Sequence, residues 1–216
     1  MGALIVVEGI DGAGKRTLTG RLVEAWRDSG RTVATAAFPR YGESVHADLG
    51  AEALRGGHGD LVDSVYGMAL MWALDRRAAR ERIAELIAGH DVVLLDRYVA
   101  SNAAYGAARL CEDHDGPFTE WVHELEFGRF ALPAPDRHLL LSVPVELARE
   151  RAAQREAADS SRERDAYERD GSLQARVARA YERLAEAGWG SPWTLVRPGE
   201  TDAGDRLAAL ADRLAP

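Results

Sequence analysis

The stretch Gly9-Ile10-Asp11-Gly12-Ala13-Gly14-Lys15-Arg16-Thr17 has the residue types and spacing of a phosphate cradle. Gly9, Gly12 and Gly14 admit backbone conformations closed to other residues, so successive N–H groups can converge on a polyphosphate at the positive end of a following helix. Lys15 adds a mobile full charge for the β- and γ-phosphates. Arg16 stands where this motif usually carries Ser or Thr, and Thr17 comes one residue late, so the hydroxyl that usually reaches a metal is displaced.

Other charged groups fall at places where a parallel α/β sheet does its chemistry, immediately beyond the carboxyl ends of strands. Val92-Val93-Leu94-Leu95 reads as a buried strand ending in Asp96-Arg97-Tyr98, and Asp96 sits where a Walker B carboxylate reaches Mg²⁺. A strand over 32–38 is followed by Phe38-Pro39-Arg40-Tyr41-Gly42, where Arg40 is either a solvated turn residue or a group held above the sheet edge. Trp72 and Arg76, four apart, share one helix face with Val65 and Ala69. They are either core with a snorkelling Arg, or a flat platform for a base beside a planar donor that reads its edge. Ser101, Asn102 and Tyr105 lie on one side of the next helix. Arg149, Arg151, Arg155, Arg162 and Arg164 crowd a polar stretch too poor in apolar residues to be fixed to a core. That stretch, about 150–166, reads as a mobile segment, either a charged connector or an Arg-bearing lid that closes over phosphates.

These residues suggest phosphoryl transfer, in which a protein mostly positions reactants and neutralises spreading charge. A hydroxyl acceptor would call for a carboxylate base, yet the second strand ends in Arg40. A monophosphate has a second pKa of about 6, arrives largely ionised, and needs charge clamps such as Arg40 and Arg97.

The elements that must hold these groups follow from periodicity. The run Ala3-Leu4-Ile5-Val6-Val7-Glu8 is a strand before the glycine loop; Leu18, Leu22 and Trp26 at four-residue steps make an amphipathic helix stopped at Gly30. Strand, helix and strand within about forty residues form a right-handed βαβ unit. The spacing predicts one long helix over 60–88, capped by Asp60 and closed by Gly89, and another over 117–130. Further strands are expected at 137–143 and 193–196, with a helix opening at Tyr167-Glu168 and running to Gly188, and a terminal helix through Leu207, Leu210 and Leu214.

With 216 residues, 46% of them hydrophobic and 29% charged, one soluble domain is expected. The net charge of −8 argues against nucleic-acid binding through a broad basic face. The single cysteine, Cys111, excludes an intramolecular disulfide. No run reaches the length of a membrane span or signal peptide, so a cytoplasmic protein without membrane contact is expected.

The sequence Gly9-x-Asp11-Gly12-x-Gly14-Lys15, then Phe38-Pro39-Arg40, Asp96-Arg97-Tyr98 and Tyr167-Glu168, resembles the bacterial thymidylate kinases, in a version close to the actinobacterial type. The resemblance spans nearly the whole chain. It implies an α/β, three-layer P-loop NTPase fold: a single domain over 1–216, with a five-stranded parallel sheet flanked by helices and a short Arg-rich lid. It further implies a homodimer that transfers the γ-phosphate of ATP to dTMP, with Mg²⁺.

By the same resemblance, Gly12, Ala13, Gly14, Lys15, Arg16 and Thr17 would hold the ATP phosphates. Arg97 and Arg40 would hold the dTMP phosphate. Thymine would stack on Trp72, where many relatives carry Phe, with Arg76 and Asn102 reading its polar edge. Tyr105 would crowd the ribose 2′ position, and Asp11, Phe38, Tyr41, Ser101 and Tyr167 would complete the dTMP pocket. Lys15, Arg97, Asp11 and the lid residues Arg151 and Arg155 would be catalytic, and Asp11, Glu168 and Asp96 would serve the metal. Two other readings stay open: a kinase of the same fold acting on a deoxynucleoside or another monophosphate, and a nucleotide-dependent switch or ATPase with no acceptor.

Overall fold

Ala3–Glu8 (β1) is buried from end to end, as a strand covered on both faces by helices must be. In the computed structural model it is the central strand of a five-stranded, all-parallel sheet of order β2-β3-β1-β4-β5, the others being Val33–Ala37 (β2), Val92–Asp96 (β3), Arg137–Leu141 (β4) and Trp193–Val196 (β5). The structure describes residues 2–158, 165–199, 209–210 and 212–214, apart from the side chains of residues 155 and 158. Because the chain leaves β1 for β2 on one side and later crosses to β4 on the other, a crevice opens beyond the carboxyl end of β1.

The glycine loop fills that crevice and turns directly into Lys15–Asp28 (α1), whose N-cap Gly14 sits at φ 101°. Leu18, Leu22 and Trp26 are buried on its inner face as their spacing requires, each burial contributing roughly 2 kcal/mol. Val45–Leu54 (α2) follows β2.

The single helix expected over 60–88 is instead a 3₁₀ turn at Leu61–Asp63 followed by Val65–Ala78 (α3) and Arg80–Gly89 (α4). Asp60 makes no capping bond; Ser64 does, its Oγ accepting from the Gly67 N–H at 3.0 Å. The bend at Ala79 falls on no Gly or Pro, and Ala73, Ala79, Ile83 and Leu86 stay buried through it, so the apolar pattern reads on without a break.

Val99–Leu110 (α5) leaves β3 and packs against α3 and, later, against Gly171–Ala187 (α9). The helix expected over 117–130 is α-helical only at Pro117–His123 (α6) and π-helical over Glu124–Arg129. Val145–Ala158 (α7) carries the arginine-rich segment. The helix expected to open at Tyr167 is split into Ala166–Arg169 (α8) and α9, because Asp165 and Asp170 each cap a new start with their own side chains, a device contributing about 1 kcal/mol apiece. Residues 159–164 of the expected lid, with Arg162 and Arg164, lie outside the described residues, as does Leu207 of the expected terminal helix; Leu210 and Leu214 are helical and buried in the core.

Candidate active site

Glu8 is the one charged residue of β1 and is fully buried. Its carboxylate accepts from the Tyr98 N–H (2.9 Å), the Ser101 hydroxyl (2.7 Å) and the Tyr181 hydroxyl (2.9 Å), which ties the end of β1 to α5 and α9. Burial pushes the Glu8 carboxyl above its ordinary range, against the pull of those donors and of Arg97. The same Ser101 and Tyr181 hydroxyls accept from Arg97 Nη1, at 3.2 and 3.3 Å.

Arg97 stands at φ 66°, a left-handed conformation that strains a residue with a side chain and is kept here because its surroundings determine it. Its N–H is bonded to the Val7 carbonyl (3.0 Å), and its Nη2 donates to Asp11 Oδ1 at 2.5 Å. Tyr105 donates to the other Asp11 oxygen at 2.7 Å, and its ring lies under the Arg97 guanidinium. Burial alone would raise Asp11; Arg97, Lys15 and the Tyr105 hydroxyl outweigh it and hold the carboxyl well below the usual range. Burial likewise opposes the Arg97 charge, but Asp11 more than compensates. Lys15 donates to the Gly9 and Ile10 carbonyls at 3.0 Å each, and burial, then the neighbouring Arg97 charge, lower it to about 8.

A cavity of about 600 Å³ runs from the glycine loop to α3. Asp11, Gly12, Gly14, Lys15, Arg16, Thr17, Asp96, Arg97 and Arg151 line it at one end; Phe38, Tyr41, Trp72, Arg76, Ser101, Asn102, Tyr105 and Tyr167 line it toward the other. Gly12 at φ +79° lets the loop approach α7 so closely that a Cβ would lie 2.0 Å from the Ala148 carbonyl oxygen. Arg151 reaches over the loop from α7, its Nη1 donating to the Ala13 carbonyl at 3.3 Å.

The thymidylate kinase family model matches residues 7–191 of the chain. The chain belongs to the thymidylate kinase family. It is 55% identical over 208 residues to the thymidylate kinase of Mycobacterium tuberculosis, covering 96% of this chain and 97% of that one. It is 33% identical over 175 residues to the thymidylate kinase of Bordetella pertussis (78% and 74% covered) and 30% identical over 194 residues to a probable thymidylate kinase of Thermococcus gammatolerans (86% and 84%).

Most of the residues expected to form a thymidylate kinase site share the one cavity. Among the described residues, two do not join its walls: Ala13 faces the core and offers only its carbonyl, and Arg40 is turned onto Asp75; the Arg155 side chain lies outside the described residues. Arg40 Nε donates to Asp75 Oδ1 (2.8 Å), its Nη2 to the Asp75 carbonyl (2.8 Å), and its backbone N–H to Asp75 Oδ2 (2.9 Å). The expected clamp of two arginines is thus one arginine in the wall, Arg97, and one that pins the turn after β2 to α3.

Residues that sequence reasoning passed over hold the others in place. Arg76 is paired with the buried Glu126, Arg109 donates to the Tyr167 hydroxyl, and Asp165 lines the cavity while capping α8. Gly50 on α2 underlies Trp72: a Cβ there would sit 2.4 Å from the indole Cη2. Glu8 was signalled as an acid at the tip of an apolar strand. Glu126 follows the buried Phe118 and Val122 at the next four-residue step.

For Mg²⁺ the chain offers a fitting donor. Asp96 Oδ1 is buried with no hydrogen-bond partner among the described residues, and Asp11 and Glu168 line the same cavity. Among the described residues no group of three or more His, Cys, Asp or Glu is close enough to hold a metal. Mg²⁺ is usually bound through one or two carboxylates together with substrate phosphates, and Asp96 is a donor of that kind. No helix of the described residues is long and apolar enough to cross a membrane.

Proposed function

We propose that this one cavity carries the whole of the reaction that family membership assigns to the chain, the phosphorylation of dTMP to dTDP with ATP as donor. The reading rests on a single observation: one continuous space is bounded at one end by a phosphate loop and at the other by Trp72, Arg76 and Asn102.

The loop amides and Lys15 grip the β- and γ-phosphates of ATP, with Arg16 and Thr17 at the rim. Arg97 holds the dTMP phosphate, whose ionised oxygen attacks the γ-phosphorus while the bond to the β,γ-bridging oxygen breaks and ADP leaves. No base is needed, since the acceptor is already largely ionised. Arg151, and Arg155 with it, neutralise the charge that spreads over the transferring group. Asp96 would hold Mg²⁺ together with the substrate phosphates, Asp11 or Glu168 serving as a second carboxylate, and the ion would supply further charge neutralisation on those phosphates. Trp72 stacks on the thymine, Tyr105 packs against the ribose, and Phe38, Tyr41, Ser101 and Tyr167 close the pocket. Arg40 acts at one remove, by holding α3 through Asp75.

The same reading makes the chain a single kinase domain with its lid at about 150–166, placed in the cytoplasm, and working as the homodimer that the family resemblance implies. Steady-state rates with dTMP, dUMP, dCMP and thymidine as acceptors test it. A strong preference for dTMP and little ATP turnover without acceptor are expected. A preference for thymidine would overturn the Arg97 assignment, and ATP turnover indifferent to dTMP would favour a switch or ATPase.

A further inference from the structure

We infer that Glu126, buried on the π-helical turn and outside the cavity wall, is a positioning residue that sets which pyrimidine the site accepts. The inference rests on the reading of the cavity given above, and concerns how the base edge is told apart.

Asn102 donates through Nδ2 to two partners, the Ala69 carbonyl at 2.9 Å and Glu126 Oε1 at 2.8 Å. Both can only accept, so the amide has one orientation: a flip would set its oxygen against two other oxygens. Asn102 Oδ1 is thereby the atom left to meet a ligand, and it is an acceptor. Glu126 also takes two of the three guanidinium nitrogens of Arg76, Nε at 2.5 Å and Nη2 at 2.7 Å, leaving Nη1 as the donor toward the cavity that Arg76 lines. One carboxylate thus imposes an ordered acceptor and donor on the wall.

Thymine and uracil carry the complement, an N3–H donor beside an O4 acceptor. Cytosine carries the reverse, an N3 acceptor beside an N4 amino donor, and would meet oxygen with a lone pair and guanidinium with N–H. Without Glu126, Asn102 keeps only the Ala69 carbonyl to orient it, and its amide can turn to donate from Nδ2 to the N3 acceptor of cytosine. Glu126 stands one four-residue step after the buried Phe118 and Val122, on the π-helical turn over Glu124–Arg129, and is wholly buried beside Leu125.

The test is the ratio of kcat/KM for dTMP to that for dCMP, each pair measured on one preparation of the full chain, so that the folded fraction cancels. In the unaltered protein the ratio is expected to be large. In Glu126→Gln, which replaces one acceptor oxygen by a donor, it should fall at least ~10-fold, with KM for dTMP rising and KM for ATP unmoved. Glu126→Asp keeps the charge and, if Gln does not fold, serves for the same measurement, since its shorter reach also releases Asn102. An unchanged ratio in a variant that still discriminates would overturn the inference and leave the proposed function standing. An unaltered protein that does not distinguish dTMP from dCMP would overturn both.

Discussion

Arg97 Nη2 and Asp11 Oδ1 lie 2.5 Å apart, joining the tip of β3 to the glycine loop through a pair that is largely buried. Arg97 is therefore held in place before any phosphate arrives, by Asp11 on one nitrogen and by Ser101 and Tyr181 on the other. Arg97→Ala should lower kcat/KM for dTMP by ~30-fold or more, the scale of losing one partner of a buried charge pair. ATP affinity, measured by titration calorimetry, should change by less than about threefold, since Lys15 and the loop amides are untouched. Equal losses for both nucleotides would sink this division of labour.

Arg151 hangs over the loop from α7 and touches it through the Ala13 carbonyl. A group placed to meet charge that develops on the transferring phosphoryl acts on the transition state more than on the ground state. Arg151→Ala should reduce kcat about a hundredfold while moving either KM by no more than about threefold. If instead KM for ATP rises and kcat holds, Arg151 merely grips the donor.

Trp72 fits only because residue 50 lacks a side chain, the indole Cη2 lying 2.4 Å from where a Cβ would be. Base stacking on an aromatic is worth about 1–3 kcal/mol, so tilting the ring should raise KM for dTMP in Gly50→Ala about tenfold. Trp72→Phe in the same background should restore KM, because the smaller ring leaves room for the methyl. Failure of that rescue would show that Gly50→Ala acts through α2 itself.

His138 lies wholly buried on β4, stacked on Trp193 at 4.3 Å, with Nδ1 paired to the Ser191 hydroxyl at 2.8 Å. Its Nε2 has no hydrogen-bond partner among the described residues, and burial lowers its pKa from 6.5 to about 3. The unfolded chain takes up this proton below about pH 6.5 and the folded chain does not until about pH 3, so the contribution is complete above 6.5 and lost as pH falls. From pH 7.5 to pH 5 the loss should be about 2 kcal/mol. Denaturant unfolding of the unaltered protein and of His138→Phe at both pH values isolates it: the variant should lose about 2 kcal/mol less. Identical losses would mean that His138 is already protonated in the folded protein.

Much of the fold was legible because its signals are local. Five apolar strand runs, a glycine loop between strand and helix, and four-residue apolar steps in α1 each need only neighbouring residues to be read. The misreadings also have local causes. Ala79 bends the chain without a breaker residue, and Ser64 competes successfully with Asp60 for a cap. Asp170 restarts a helix that composition alone continues.

What the chain's order of residues decided by itself is the chemistry: a loop whose residue types and spacing suit phosphate, arginines and acids at strand ends, and an aromatic with a planar donor one helical turn apart. The tertiary structure alone decided which of these groups is free to act. Arg40 and Arg97 look equivalent in the sequence, yet Asp75 occupies the first while Asp11, Ser101 and Tyr181 aim the second into the cavity. The reason is that a guanidinium's availability depends on which carboxylate reaches it across the fold. Asp75 and Glu126 lie 35 and 50 residues from the arginines they hold, farther than any local pattern extends.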